Sequence, residues 1–148
     1  MDFNWINWGN IAVVGCLIII NLIAVKKGVS ENFCSRYPAV NVFEQIGRYA
    51  SMALMILPVF TKGWKFGFRS GLGMFIWVGG SVLLLVIYGL LWLKKSTGGV
   101  GILYGLAVVP VILFLLNGIL LRHFTLVAAS LIFGICHVAI VKEMCAEV

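Results

Sequence analysis

The chain has 148 residues, of which 62% are hydrophobic and only 11% are charged, and its mean hydropathy is +1.10. Water-soluble domains carry roughly 45–50% apolar and 25% charged residues, so this composition excludes a soluble globular domain. The net charge of +6 comes from basic residues that are dispersed along the chain, and this distribution argues against a nucleic-acid partner. The sequence therefore belongs to the class of integral membrane proteins.

Five hydrophobic runs are long enough to cross about 30 Å of hydrocarbon, which takes about 20 helical residues. In chain order, the predicted helices cover residues 9–25, 42–61, 71–93, 100–121 and 124–141. These runs lack the alternating polarity of barrel strands, and no linker divides them. We therefore predict an all-α integral membrane protein, a five-helix transmembrane bundle forming a single domain over residues 1–148. The main alternative is four spans plus one re-entrant or interfacial segment, with the difference expected at the turn Arg122-His123.

Basic residues near the helix ends predict the orientation, because cytoplasmic loops are enriched in Lys and Arg. With five spans, one side collects Lys26, Lys27, Arg36, Arg48, Lys94, Lys95 and Lys142. The other side collects Lys62, Lys65, Arg69 and Arg122. The more basic side should face the cytosol, which places the N-terminus outside and the C-terminus in the cytosol of a multi-pass protein of the cytoplasmic membrane.

Basic and aromatic residues at the predicted helix ends are typical anchors at the membrane–water interface, where they contact membrane lipids. Those assigned to this role are Lys62, Trp64, Lys65, Arg69 and Arg122. Within residues 62–69 the spacing of the cations also fits a short segment lying in the interface, but a tight connection with snorkelling side chains is the preferred interpretation, because eight residues are few for an interfacial helix.

Two glycine series have the spacing that brings helix backbones close together in lipid. Gly63, Gly67 and Gly71 form the first, and Gly101 and Gly105 form the second. Packing within one bundle is the simpler interpretation, and a homo-oligomer that forms through these glycine-rich faces is the alternative.

Polar residues from all five predicted helices fall at a similar depth near the predicted cytosolic ends, given a rise of 1.5 Å per residue. They are Asn21, Glu44, Gln45, Arg48, Tyr88, Tyr104 and His137. Ionisable side chains at membrane depth are costly and mark functional sites by default, so we predict that these residues line a ligand-binding pocket. The alternatives are that Glu44 and Arg48 pair at the headgroups and that His137 is a hydrogen-bonded packing residue.

Four short segments resemble the pattern of a group of small uncharacterised bacterial multi-spanning membrane proteins. They are residues 44–49 (EQIGRY), 64–68 (WKFGF), 121–123 (LRH) and 134–137 (GICH). The resemblance implies a multi-pass helical protein and brings no known activity.

The predicted function is binding of a small molecule or lipid in a cytosol-facing polar pocket, as a binding protein or a transporter component. A regulatory or immunity-type membrane protein that acts through a protein partner is the alternative, and a membrane-embedded enzyme acting on a lipid is the third. Catalysis is the weakest of these, because the sequence has no H-E-x-x-H motif and no nucleophile with an evident base. It also has no C-x-x-C spacing, so we expect neither a metal nor a cofactor.

Overall fold

The computed structural model describes residues 6–27, 34–57, 71–97 and 99–146. It confirms the all-α fold with five helices: α1 (Trp8–Lys26), α2 (Pro38–Ile56), α3 (Gly71–Lys94), α4 (Val100–Leu120) and α5 (Phe124–Ala146). A single 3-10 turn, Lys95–Thr97, follows α3. The interfacial anchors predicted within residues 62–69 lie outside the described residues.

Helix α2 begins four residues before its predicted start, because Pro38 opens it. Proline is favoured in the first helical turn, where its fixed φ suits the helix and its missing N–H costs nothing. The Asn41 side chain also folds back on the preceding segment, since its Oδ1 accepts from the Ser35 N–H at 2.7 Å and its Nδ2 donates to the Ser35 carbonyl at 2.9 Å. The helix ends at Ile56, earlier than the predicted residue 61.

Among the described residues, four helices are long and apolar enough to cross a membrane, namely α1, α3 with its 3-10 turn, α4 and α5. Helix α2 is not among them, because its polar residues, including Glu44 and Arg48, lower its mean hydropathy. The four-span alternative predicted from the sequence had instead expected the non-spanning segment next to the turn Arg122-His123, at the fifth helix. Helix α5 has 23 residues, however, and continues to Ala146, five residues beyond the predicted end.

The turn between α4 and α5 is short because two residues build it. Arg122 takes a left-handed conformation with φ of 54°, and the His123 N–H then donates to the Gly118 carbonyl at 2.8 Å. The buried His123 ring caps α5 by accepting from the Leu126 N–H through Nδ1 at 3.1 Å. A left-handed residue after a helix end and a side-chain cap on the next helix satisfy the free backbone groups at both ends.

The helices pack in a closed order, α1–α2–α5–α4–α3 and back to α1. The most extensive contacts join α5 to α2 and to α4, while α1 touches α2 and α3 more lightly. Helices α1 and α3 run in the same direction, because Gly9 meets Trp77 near their starts and Asn21 meets Tyr88 near their ends. The apolar core lies inside this ring and includes Leu17, Met55, Leu113, Phe114 and Phe133.

The closest helix approaches occur at glycines outside the two predicted series, although a Cβ at Gly105 of the second series would lie 3.0 Å from the Leu91 side chain of α3. A Cβ at Gly47 would lie 2.7 Å from the backbone nitrogen of Phe133, and one at Gly118 would lie 2.8 Å from Val127. Gly101, by contrast, has no atom within 4 Å of such a Cβ. Self-association through the glycine-rich faces therefore stays a prediction.

Candidate functional site

Glu44, Arg48 and His137 form one cluster where α2 packs against α5. Glu44 is buried, with 2% of its surface exposed, and it forms an ion pair with Arg48, one helical turn further along α2. The same carboxylate oxygen, Oε1, that pairs with Arg48 also lies 2.9 Å from His137 Nδ1. The single carboxylate is therefore shared between a guanidinium and an imidazole, and the charged face of α2 turns towards the neighbouring helix.

Two residues that were not predicted as site residues, Gly47 of α2 and Phe133 of α5, allow the two helices to pack closely at this cluster. Gly47 lies between Glu44 and Arg48 and lets the α5 backbone approach at Phe133. The Phe133 ring then stacks on His137 with 4.9 Å between ring centroids, and the Arg48 guanidinium lies 5.8 Å from the same ring. The only feature of the sequence that pointed to this contact was a glycine between two charged residues on one helix. The partner residue lies 86 positions away in the chain (133 − 47), so a local sequence pattern could not reveal it.

Asn21 and Tyr88 form a second polar contact, which joins α1 to α3. The Tyr88 hydroxyl donates to Asn21 Oδ1 at 2.8 Å, and Asn21 Nδ2 donates to the Leu17 carbonyl of its own helix at 3.1 Å. The positive charge of Arg48 acts on the Tyr88 hydroxyl, so the two polar groups are within electrostatic range of each other. The bundle thus brings five of the seven predicted site residues into two neighbouring groups.

The remaining two predicted site residues stand apart from these groups. Gln45 is exposed and lies beside the buried face of α2 rather than on it. Tyr104 is half-buried on α4 and makes no hydrogen bond to another residue of the described segments. That all seven residues bind one ligand stays a prediction.

Replacing Tyr88 with phenylalanine should destabilise the protein only slightly, by about 0.6 kcal/mol, the average for an interhelical side-chain hydrogen bond within a membrane. The variant removes the hydroxyl that Asn21 accepts and keeps the buried ring. Unfolding in mixed micelles, followed by circular dichroism, measures the difference. A loss of several kcal/mol would show that the Asn21–Tyr88 contact holds α1 in the bundle.

A groove with a cavity volume of about 720 Å³ lies between the C-terminal halves of α1 and α3, next to the Asn21–Tyr88 contact. The residues that line it on α1 are Ile20, Ile23, Ala24 and Lys27. Those that line it on α3 and its 3-10 turn include Val86, Gly89, Leu90, Trp92, Leu93 and Ser96. Its walls are apolar, and its polar residues, Lys27 and Ser96, both belong to the same end.

That end of the groove carries several positive charges. Lys26 is the last residue of α1 and Lys27 follows it. Lys94 is the last residue of α3, which runs in the same direction, and Lys95 begins the 3-10 turn after it. The Lys95 ammonium lies 4.9 Å from the centre of the Trp92 ring, a cation–π contact that holds this tryptophan at the mouth of the groove. Burial of Lys95, with 8% of its surface exposed, fits that contact.

Within the described residues, no group of three or more His, Cys, Asp or Glu side chains could hold a metal ion. The four cysteines are free thiols. Arg122, the one predicted interface anchor inside the described segments, is exposed at the turn between α4 and α5. Comparison with known proteins gives no match to any protein-family model, curated protein or solved structure.

Proposed function

We propose that this integral membrane protein binds an amphiphilic, lipid-like molecule with an acidic headgroup in the groove between α1 and α3. The observation that carries the proposal is a mostly apolar groove with Lys27 lining the end at which Lys26, Lys94 and Lys95 also lie. A volume of about 720 Å³ falls within the range of roughly 300–1,000 Å³ that is usual for small-molecule sites.

The walls of the groove favour an acyl or other hydrocarbon chain. Ile23, Leu90 and Leu93 line it and are exposed on the outer surface of the bundle, so the groove opens towards the bilayer. A chain can therefore enter from the membrane without crossing water. Gly89 widens the groove at its base, because a side chain at this position would project towards Ile20 of α1.

The charge at one end favours a phosphate or carboxylate headgroup. Lys27 lines the groove, and Ser96 on the opposite wall supplies a hydroxyl that can donate a hydrogen bond. A lysine at the membrane surface contributes about 1 kcal/mol towards binding an anionic lipid. The proposed ligand class, a lipid with an acidic headgroup, is thus narrower than the small molecule or lipid predicted from the sequence. The hydrogen bond between Tyr88 and Asn21 joins the two helices that form the groove.

Filling the groove should remove the bound lipid. We expect Gly89→Phe to lose binding of phosphatidylglycerol, measured by native mass spectrometry of the purified protein titrated with that lipid. Gly79→Phe is the matched control, because it puts the same ring on the same helix at a position with no atom within 4 Å. Equal loss in both variants would overturn the groove as the binding site.

The proposed preference for an acidic headgroup can be tested at Lys27, with the neighbouring Lys26 as the control. Lys27→Gln should reduce the preference for phosphatidylglycerol over phosphatidylcholine, because Lys27 lines the groove. Lys26→Gln removes the same charge from the same helix end but from a residue that does not line the groove, so its preference should stay close to that of the natural protein. If both variants lose the preference equally, general surface charge rather than the groove selects the lipid.

A further inference from the structure

We propose that a hydrated path for protons runs through the bundle along its buried polar side chains, and that the Glu44–His137 pair binds the proton. The path is separate from the groove between α1 and α3 and does not depend on the proposed lipid binding. It rests on buried polar side chains that occur at three successive levels along the inside of the helices.

The first level lies near the start of α1. Asn10 is fully buried, and its Nδ2 donates to the Met55 carbonyl of α2 at 2.9 Å. Beside it, the Trp77 indole N–H of α3 donates to Asn117 Oδ1 of α4 at 2.6 Å. Gly9 packs directly against the Trp77 ring, which brings these two polar contacts to the same height in the bundle.

The second level consists of two serines, one helical turn further in. Ser51 precedes Met55 by four residues and Ser81 follows Trp77 by four, so both lie about 6 Å from the first level, given 1.5 Å per residue. Because α2 and α3 run in opposite directions, both steps lead the same way along the bundle. Ser51 is fully buried and Ser81 is 2% exposed.

The third level is the cluster described above. Arg48 precedes Ser51 by three residues, about 4.5 Å along the helix axis, and Tyr88 follows Ser81 by seven, about 10 Å. The side chains of Glu44 and His137 complete the level. Gaps of this size can be bridged by hydrogen bonds through short chains of one to three water molecules.

Three buried oxygens along this path lack a hydrogen-bond partner within residues 6–27, 34–57, 71–97 and 99–146: Asn10 Oδ1, Ser51 Oγ and Ser81 Oγ. A buried serine can satisfy its hydroxyl within its own helix, as Ser130 does by donating to the Leu126 carbonyl at 2.6 Å. Ser51 and Ser81 do not. Leaving a buried hydroxyl unpaired costs about 1–3 kcal/mol, and bound water is the usual partner of such groups.

The cluster has the charge balance that reversible proton binding requires. Arg48 offsets the charge of Glu44, so the level is neutral while His137 is neutral, and one added proton can be shared across the 2.9 Å contact between the carboxylate and the imidazole. The other titratable groups that face the cluster are Tyr88 of α3 and Cys136 of α5, on which Arg48 and Glu44 respectively act. A proton that arrives from one side leaves to the other, and no other species is consumed.

The test is proton flux into vesicles that contain the reconstituted full-length protein and a trapped pH-sensitive dye. A pH gradient is imposed, with valinomycin and potassium present to balance charge. We expect the natural protein to speed up acidification, and Glu44→Gln, which keeps the shape of the side chain and cannot take up a proton, to return it to the rate of protein-free vesicles. Glu143→Gln, near the end of α5, is the matched control and should keep the full rate.

Flux that is equal in Glu44→Gln and the natural protein, or absent from the natural protein, would overturn the proposal. A second measurement, infrared difference spectroscopy of the natural protein between neutral and acidic pH, does not depend on how the variant folds. It should show a change in the band of a buried carboxylate as the shared proton binds, and that band should be missing in Glu44→Gln and present in Glu143→Gln. Absence of that band would also overturn the proposal.

Discussion

Gly47→Ala should destabilise the protein by about 3 kcal/mol, the upper part of the usual range for an overpacked core. The added Cβ would lie 2.7 Å from the backbone nitrogen and 2.9 Å from the Cα of Phe133, and backbone atoms cannot turn aside as a side chain can. The α2–α5 contact would have to open, which would also separate Glu44 from His137. Unfolding by sodium dodecyl sulfate in mixed micelles, followed by circular dichroism, measures the loss.

A matched glycine provides the control for that experiment. Gly79 also lies within a helix, but an added Cβ there meets no atom within 4 Å. Because alanine favours a helix over glycine by about 1 kcal/mol, Gly79→Ala should be neutral or slightly stabilising. If Gly47→Ala and Gly79→Ala have the same stability, α2 and α5 do not pack as closely as the structure shows.

Glu44→Ala should cost about 3 kcal/mol, the lower end of the range for breaking a buried ion pair. The lower end applies because 32% of the Arg48 side chain remains exposed and can be solvated after its partner is lost. His137 loses the carboxylate next to its Nδ1 in the same variant. Unfolding in mixed micelles again gives the loss.

The double variant Glu44→Leu/Arg48→Met distinguishes the stability lost by breaking the ion pair from the stability lost by removing packed side-chain atoms. Replacing both partners of a buried ion pair by apolar groups of similar size is often neutral, so this variant should regain most of the stability that Glu44→Ala loses. Gln45→Ala is the control for truncation of a polar side chain on α2, since Gln45 is exposed. A loss in Glu44→Ala no larger than in Gln45→Ala would mean that Glu44 lies at the headgroups.

Much of the fold could be predicted from composition and hydrophobic run length alone. The predicted starts of α3, α4 and α5 agree with the structure, because each follows a polar or glycine-containing break in the hydrophobic pattern. Helix α2 differs most, because its polar face made its limits hard to locate in a hydrophobicity pattern. Its early start depends on Pro38 and on the fold-back of Asn41, which are local features of the turn.

The candidate site could be predicted only in part. Depth along a helix follows from the sequence, so Glu44, Arg48 and His137 were expected at a similar level. The side of a helix to which a residue points has meaning only relative to the helices packed around it, and a sequence does not give their positions. For this reason the pairing of Asn21 with Tyr88 and the exposure of Gln45 could not be predicted. Ser51 and Ser81 gave no signal, because a single serine in an apolar run is common and its burial depends on packing.

By itself, the sequence determined that this is a helical membrane protein and which segments form its helices, because burial in lipid requires long apolar runs whose backbone groups bond within the segment. The tertiary structure decided that the carboxylate of Glu44 faces Arg48 and His137, and that the groove lies between α1 and α3. Those outcomes depend on contacts between residues far apart in the chain, such as Gly47 against Phe133, and these become visible only when helices pack.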